Sequence, residues 1–90
     1  MRFIWDAKKA VKNIRKLGVS FQEAASVFRD TLSATGFDPD HSSGEHRFVT
    51  FGLSEAGRLV VVSHTEEDES IRIINARLAT RQERRIYEEG

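Results

Sequence analysis

The sequence predicts an α+β fold in which two N-terminal helices pack on an antiparallel β-sheet meander and a third helix closes the chain. Three observations support this order: helical periodicity before residue 30, three strand-like runs between residues 46 and 78, and a helix-capping pattern directly after them. Helices and strands that occupy separate stretches of a chain are typical of the α+β class.

The composition is that of an ordinary globular protein. Its 90 residues suffice for one hydrophobic core, so we expect a single domain over residues 1–90. The chain has no cysteine, which excludes disulfides and thiolate catalysis. The longest apolar run, Leu59–Val62, is far too short to cross a membrane, and the N-terminus lacks the apolar block of a signal peptide. We therefore expect a cytoplasmic protein.

The first 18 residues predict a short strand and a helix. Arg2–Trp5 can form an edge strand, and Asp6 fits the N-cap of a helix that ends near Leu17, before Gly18. Apolar residues at helical spacing predict one buried face of this helix, formed by Ala7, Ala10, Val11, Ile14 and Leu17. The rest of its surface is basic and carries Lys8, Lys9, Lys12, Arg15 and Lys16.

A second helix and a turn-rich segment follow. Ser20 and Glu23 have the spacing of a capping box, which predicts a helix start at this point. A short strand is expected near Thr31–Thr35, and the residues of Gly36–Gly44 are typical of an exposed loop.

The second half of the chain predicts a strand meander and a last helix. The runs His46–Ser54, Arg58–Thr65 and Ile71–Leu78 are rich in β-branched or aromatic residues and are separated by turn-forming residues. Thr80 and Glu83 have the spacing of a second capping box, which predicts a helix to about residue 89.

Antiparallel counting through the two hairpins predicts a row of three polar residues. It places Arg47 opposite His64, and His64 opposite Arg72. A slip of one residue in either hairpin would destroy this row. Asn75 and Arg77 then lie on the other face of the sheet, unless a bulge intervenes.

The formal net charge of zero conceals a cluster of arginines near the C-terminus, at positions 72, 77, 81, 84 and 85. Arginine suits phosphate oxygens, and a histidine can transfer a proton near neutral pH. Such a row is compatible with cleavage of RNA, in which the ribose 2′-hydroxyl is the internal nucleophile. Alternatively, His64 is a structural residue and the arginines are solvated or paired with the acidic run of residues 66–69.

A metal site is the weaker alternative. His41 and His46 flank a loop that contains Asp38, Asp40 and Glu45, but their spacing fits no strong ligand pattern. The chain also has no glycine-rich phosphate-binding loop. We expect neither a metal nor a cofactor.

The chain resembles a family of bacterial toxins over nearly its whole length. Its opening FIWDAKKAVKNIRKLGVSFQEAASVF, residues 3–28, and its later segment GRLVVVSHTEEDESIRIINARLATRQERRIYE, residues 57–88, are similar to the BrnT toxins of type II toxin–antitoxin systems. The Trp-Asp opening, the Gly-Val-Ser-Phe turn and the histidine that ends a valine-rich strand carry this resemblance. In one departure, Lys16-Leu17-Gly18 stands where many members have Lys-His-Gly.

The resemblance implies a RelE-like fold and a ribonuclease that halts translation without a metal. It also implies neutralisation by BrnA, a ribbon-helix-helix antitoxin whose complex with the toxin binds operator DNA. Matched by position, His64, Arg72 and Arg77 are the expected catalytic residues, with Arg47 and Tyr87 as weaker candidates. Expected RNA contacts are Lys8, Lys12, Arg15, Lys16, Arg81, Arg84 and Arg85.

Two other functions remain open. The same basic surface could belong to a non-catalytic interaction module that seats an acidic antitoxin and supports a repressor complex. It could also belong to a plain nucleic-acid-binding domain, although such a domain usually presents its basic residues along one exposed recognition helix.

Overall fold

The computed structural model describes residues 1–41 and 44–90. Its strands are β1 Arg2–Ile4, β2 Ala34–Phe37, β3 Arg47–Leu53, β4 Leu59–Glu67 and β5 Ser70–Leu78. Its α-helices are α1 Ala7–Leu17, α2 Phe21–Ser26 and α3 Arg81–Glu89, with short 3-10 turns at Val27–Arg29 and Pro39–His41. Ser42 and Ser43, which fall within the predicted exposed loop, lie outside the described residues. In the part of the chain that the structure describes, no helix is long and apolar enough to span a membrane.

The strands form one mixed sheet in the order β1-β5-β4-β3-β2. The predicted meander of β3, β4 and β5 is confirmed as antiparallel, but β1 runs parallel to β5 and pairs Phe3 with Ile71. The sheet is therefore not wholly antiparallel as predicted, because residue periodicity identifies a strand without identifying its partner. The predicted strand at Thr31–Thr35 is shifted to Ala34–Phe37, since Asp30 first accepts a hydrogen bond from the Leu32 amide at 2.9 Å and forms a turn.

The predicted row of Arg47, His64 and Arg72 is wrong by one residue. Arg47 pairs with Thr65, and Thr65 pairs with Arg72, whereas His64 pairs with Phe48 and Ile73. Each hairpin connection shifts the pairing by one position relative to the counted register. Because side chains alternate between the two faces of a sheet, this shift sends His64 to the opposite face from both arginines.

A bulge in the β4–β5 pairing moves Arg77 to the face that carries Arg72. Ser63 pairs with Asn75, but the next residue of β4, His64, pairs with Ile73, so Ile74 is left as the extra residue. The sequence placed Arg77 on the other face of the sheet unless a bulge intervened. The bulge is present, so Arg77 lies on the same face as Arg72.

The hydrophobic core lies between one face of the sheet and the helices α1 and α2. Residues that share this core are Val19, Phe21, Ala24, Val27, Val60, Val62, Ile71, Ile73 and Ala76. Trp5 and Phe28 are partly buried and pack against it. We call the sheet face that points away from these helices the outer face.

Helix α1 has the predicted ends but not the predicted rotation. The side chain of Asp6 caps the first turn, and Gly18 ends the helix with φ +73°. However, Val11 and Ile14 are each 50% exposed, and Asn13 is the buried residue of this helix. Only the part of the predicted apolar face around Ala10 packs against the core.

The two predicted capping boxes have different outcomes. At the start of α3, Thr80 and Glu83 form the complete reciprocal box. At the start of α2, the Ser20 hydroxyl accepts from the Glu23 amide at 3.0 Å, which confirms the helix start. The Glu23 carboxylate does not return the bond, because it accepts hydrogen bonds from Arg58 and from the Ser54 hydroxyl.

Candidate functional site

The outer face carries Arg47, Thr65 and Arg72 side by side on three adjacent strands, and we call this set the arginine row. Thr65 is only 3% exposed, and its Oγ1 has no hydrogen-bond partner among the described residues. The Nε of Arg72 is likewise buried without a hydrogen bond in that part of the chain. Buried polar atoms normally have partners, so two unsatisfied donors at one place are unusual and make this part of the outer face the candidate site.

Glu45 connects the two arginines of the row. Its Oε2 accepts from Nη2 of Arg72 at 2.9 Å, and its Oε1 lies 3.8 Å from Nε of Arg47. Glu67 provides a second carboxylate, 3.3 Å from the same Arg72 nitrogen. Because guanidinium groups bind carboxylates and phosphates with the same fork geometry, Glu45 and Glu67 occupy positions that phosphate oxygens could take.

Glu45 was missed as a functional residue because the sequence placed it only in a weak metal-binding pattern. Its position two residues before Arg47, in the bend that leads into β3, was the available signal. Among the described residues, no group of three histidine or carboxylate side chains is arranged as a metal site.

Arg77 lies on the same face but away from the row. It pairs with Val61, four residues before Thr65 on β4, which corresponds to a separation of about 13 Å along the strand. Its guanidinium donates to both carboxylate oxygens of Glu83, at 2.8 and 2.9 Å. These bonds lower the pKa of Glu83 to about 2 and raise the pKa of Arg77. Arg77 therefore ties β5 to the first turn of α3.

An open apolar cavity of about 430 Å³ lies between the outer face and α3. Val49, Phe51 and Val61 line it from the sheet, and Glu83 and Ile86 line it from the helix. Ile86 is 58% exposed, so this cavity opens to solvent beside the ion pair of Arg77.

His64 lies on the core face and is fully buried. Its Nε2 is 2.7 Å from the Thr50 hydroxyl, which is itself 2.6 Å from the Thr35 hydroxyl. The rings of Phe28 and Phe48 pack against the imidazole. Burial lowers the pKa of His64, because the charged imidazolium would lose its water, and the nearby Glu66 carboxylate opposes this only in part. In this conformation the imidazole does not face the arginine row.

Tyr87 anchors α3 to the rest of the molecule. Its hydroxyl donates to Oδ2 of Asp30 at 2.5 Å, and its ring packs edge-on against Phe51. Asp30 also accepts from the Leu53 amide at 2.7 Å. These hydrogen bonds lower the pKa of Asp30, chiefly through the Leu53 amide, and so keep its carboxylate ionised.

The predicted RNA-contacting residues divide between two sides of the molecule. Arg81, Arg84 and Arg85 are exposed on α3, beside the outer face. Lys8, Lys12, Arg15 and Lys16 are exposed on α1, which packs on the core face. One extended RNA strand on the outer face would therefore pass α3 but not α1. Leu17, which departs from the Lys-His-Gly that the resemblance led us to expect, is 38% exposed.

The comparisons with known proteins identify the family. No curated protein matches the chain significantly. The crystal structure of the Brucella abortus ribonuclease toxin BrnT is similar in fold, with a TM-score of 0.66 over 90% of this chain and 99% of that chain, at 21% sequence identity. Residues 5–83 match the model of the family described as the ribonuclease toxin BrnT of type II toxin–antitoxin systems. Because this match covers most of the sequence, the chain belongs to the BrnT family of ribonuclease toxins.

Proposed function

We propose that this protein is a metal-independent endoribonuclease whose arginine row binds the scissile phosphate of RNA. The observation that carries the proposal is the placement of Arg47 and Arg72 on either side of the buried Thr65 hydroxyl, on the outer face, where that hydroxyl has no hydrogen bond to any described residue. Two guanidinium groups can neutralise a phosphate, and the hydroxyl can donate to one of its oxygens. The family membership supports a ribonuclease as the class of enzyme.

In the proposed reaction the ribose 2′-oxygen bonds to the adjacent phosphorus and forms a 2′,3′-cyclic phosphate. The bond from phosphorus to the 5′-oxygen breaks, and the leaving oxygen takes a proton from water to become a 5′-hydroxyl. Arg72 and Arg47 stabilise the charge that develops on the phosphate oxygens. Binding of the phosphate displaces Glu45 from Arg72, and the released carboxylate, which lies closer to Arg72 than that of Glu67 does, accepts the 2′-proton. His64 then acts through the position of β4, and Tyr87 and Arg77 act through the position of α3.

We expect the substitutions Arg47→Ala and Arg72→Ala together to reduce RNA cleavage at least about 10²-fold, since removal of one preorganised donor already costs that much in other enzymes. The measurement is cleavage of a defined RNA by the purified protein in EDTA. Arg29→Ala is the matched control, because Arg29 is also exposed and also pairs with a carboxylate, Glu55, at 3.0 Å.

Two results would contradict this assignment. Equal cleavage by the double variant and the wild type would remove the row from the chemistry. Loss of wild-type cleavage in EDTA, with recovery on addition of a divalent cation, would remove the metal-independent mechanism.

The proposal extends to the biological setting that the resemblance implies. The chain would have a RelE-like arrangement and would inhibit translation in the cytoplasm by cleaving RNA. A BrnA-like ribbon-helix-helix antitoxin would neutralise it, and operator DNA would be bound only through the complex with that antitoxin. The family supports an antitoxin partner in general, since it consists of type II toxins.

A non-catalytic interaction module is the second candidate, and the ion pairs of the outer face favour it. Arg72 and Arg77 both bind carboxylates of this chain, at 2.9 and 2.8 Å. These arginines could equally bind acidic side chains of an antitoxin. The two functions differ in one measurement, because a non-catalytic module would cleave no RNA in the absence of its partner.

A further inference from the structure

Helix α1 exposes a line of apolar side chains that the core does not use. Val11 and Ile14 are each 50% exposed and Leu17 is 38% exposed, and we call these three residues the α1 stripe. Because positions 11, 14 and 17 are each three residues apart, their side chains lie along one side of the helix. Isolated apolar residues are common on protein surfaces, but a continuous line along a helix indicates an interaction site.

The exposure of the stripe is fixed by a buried asparagine. Nδ2 of Asn13 donates to the carbonyl oxygens of Val19 at 2.8 Å and of Ala76 at 2.7 Å, and its Oδ1 accepts from the Ala76 amide at 3.2 Å. Rotation of α1 that buried Val11 and Ile14 would break these three bonds in the core. The helix is therefore held with its apolar side partly in solvent, because each buried group left unpaired would cost about 1–3 kcal/mol.

The cations around the stripe form no ion pair with the described residues. Lys8, Lys12 and Arg15 border a shallow surface depression together with Ala7 and Val11. Within residues 1–41 and 44–90 no basic residue of α1 forms an ion pair, and the helix contains no acidic residue. By contrast, Arg58, Arg72 and Arg77 each bind a carboxylate of the same chain.

We propose that the α1 stripe and its surrounding cations dock an acidic, amphipathic segment of the antitoxin. The apolar residues require a partner with apolar side chains, and the unpaired cations require acidic residues beside them. A nucleic-acid backbone would satisfy the cations but would leave half-exposed Val11 and Ile14 without apolar partners. The inference rests on the proposed function for the identity of the partner, but it concerns a surface that lies on the opposite side of the sheet from the arginine row.

The location has a consequence for neutralisation. A segment bound at α1 does not itself cover Arg47, Thr65 or Arg72, because α1 packs on the core face. The α1 surface therefore serves as an anchor, and another part of the antitoxin must reach the outer face to block RNA. Separate anchoring and blocking segments increase the effective concentration of the blocking segment at its site.

The test measures binding of the purified toxin to the antitoxin encoded by the adjacent reading frame, by titration calorimetry. We expect the double substitution Val11→Ser and Ile14→Ser to weaken binding about tenfold or more, with RNA cleavage unchanged. Charge reversal by Lys12→Glu and Arg15→Glu should also weaken binding, with a smaller dependence of affinity on salt concentration. The matched control is Leu32→Ser with Leu53→Ser, which removes two side chains that are 73% and 44% exposed away from α1.

Several outcomes would overturn the proposal. These are wild-type affinity in both α1 variants, an equal loss of affinity in the control, or no complex between this antitoxin and the wild-type toxin. A loss of RNA binding by the Val11/Ile14 variant with intact antitoxin binding would assign the stripe to RNA instead. A wild type that cleaves no RNA, together with weaker antitoxin binding in the α1 variants but not in the control, would support the docking surface and contradict the nuclease proposal. Thermal unfolding of each variant confirms that it is folded.

Discussion

His64 connects the central strands of the sheet from the inside. Its imidazole is fully buried, meets the rings of Phe28 and Phe48, and forms the end of a hydrogen-bonded chain with Thr50 and Thr35. A side chain with this many fixed neighbours determines where the adjacent residue Thr65 lies on the outer face. The catalytic role that the resemblance implies for His64 stays a prediction. Because the His64 side chain is buried, we expect it to act on catalysis indirectly, by positioning β4.

Because His64 is buried, the folded state should become less stable as the pH falls. Its pKa is lowered by burial in the folded chain, so below pH 6.5 the unfolded chain binds the proton more readily than the folded chain does. The free energy of unfolding should therefore decrease from pH 7 to pH 5. This decrease should be smaller in His64→Gln, whose neutral amide can still bond Thr50. Urea denaturation of both proteins at the two pH values measures the difference, and an equal decrease in both would contradict the assignment.

Substitutions of His64 by alanine and by glutamine test its catalytic role. His64→Ala should lower the free energy of unfolding by about 3 kcal/mol, since it removes ring packing and leaves Thr50 without its partner. His64→Gln should retain RNA cleavage with the pH profile of the wild type if His64 only positions β4. A changed profile in a folded His64→Gln protein would restore His64 as an acid or a base.

At the scale of the elements, α3 is attached to the fold without contributing a buried residue. None of its residues is buried, and specific side-chain bonds hold it to the sheet and to Asp30. The sequence predicted its start correctly, because the capping box of Thr80 and Glu83 is a local pattern. It did not predict that Glu83 would also bind Arg77, because that bond requires the bulge in β5.

Removal of the Glu83 carboxylate should loosen α3. Glu83→Gln loses the charge that binds Arg77 and weakens the cap, which should speed amide hydrogen exchange in α3 about tenfold. In the wild type, the pKa of about 2 means that this stabilisation is present above pH 4.5 and is lost as the pH falls toward 2. Glu88→Gln is the control on the same helix, and equal acceleration in both variants would refute the role of the ion pair.

At the scale of the whole molecule, the formal net charge is zero, but the cations are concentrated on two separate surfaces. The helix α3 and the arginine row place cations around the outer face, whereas α1 places a second group of cations on the other side of the sheet. Electrostatic attraction between a protein and RNA depends on the local groups that meet the phosphates and not on the total charge. The outer face is therefore expected to account for the salt dependence of RNA binding.

Substitution of Arg81, Arg84 and Arg85 by glutamine should reduce that salt dependence. If each contacts one phosphate of a single strand, the slope of log K against log salt concentration should become smaller by about 2. Filter binding of a short single-stranded RNA over a range of salt measures the slope. The matched variant with Lys8, Lys12 and Arg15 replaced by glutamine should show a smaller change, and a larger one would place RNA on α1.

The sequence by itself determined the helices and, apart from β2, the strands, together with where the helices begin and which family the chain resembles. These properties depend on local spacing: Asp6, Ser20 and Thr80 cap helices because of residues within the next turn. The tertiary structure alone decided the hairpin registers, the bulge after Ser63 and the rotation of α1. A shift of one residue in a turn or one buried amide bond changes which side chains share a face, and no local pattern encodes these long-range pairings. They are what place Thr65 rather than His64 between the arginines and leave the α1 stripe in solvent.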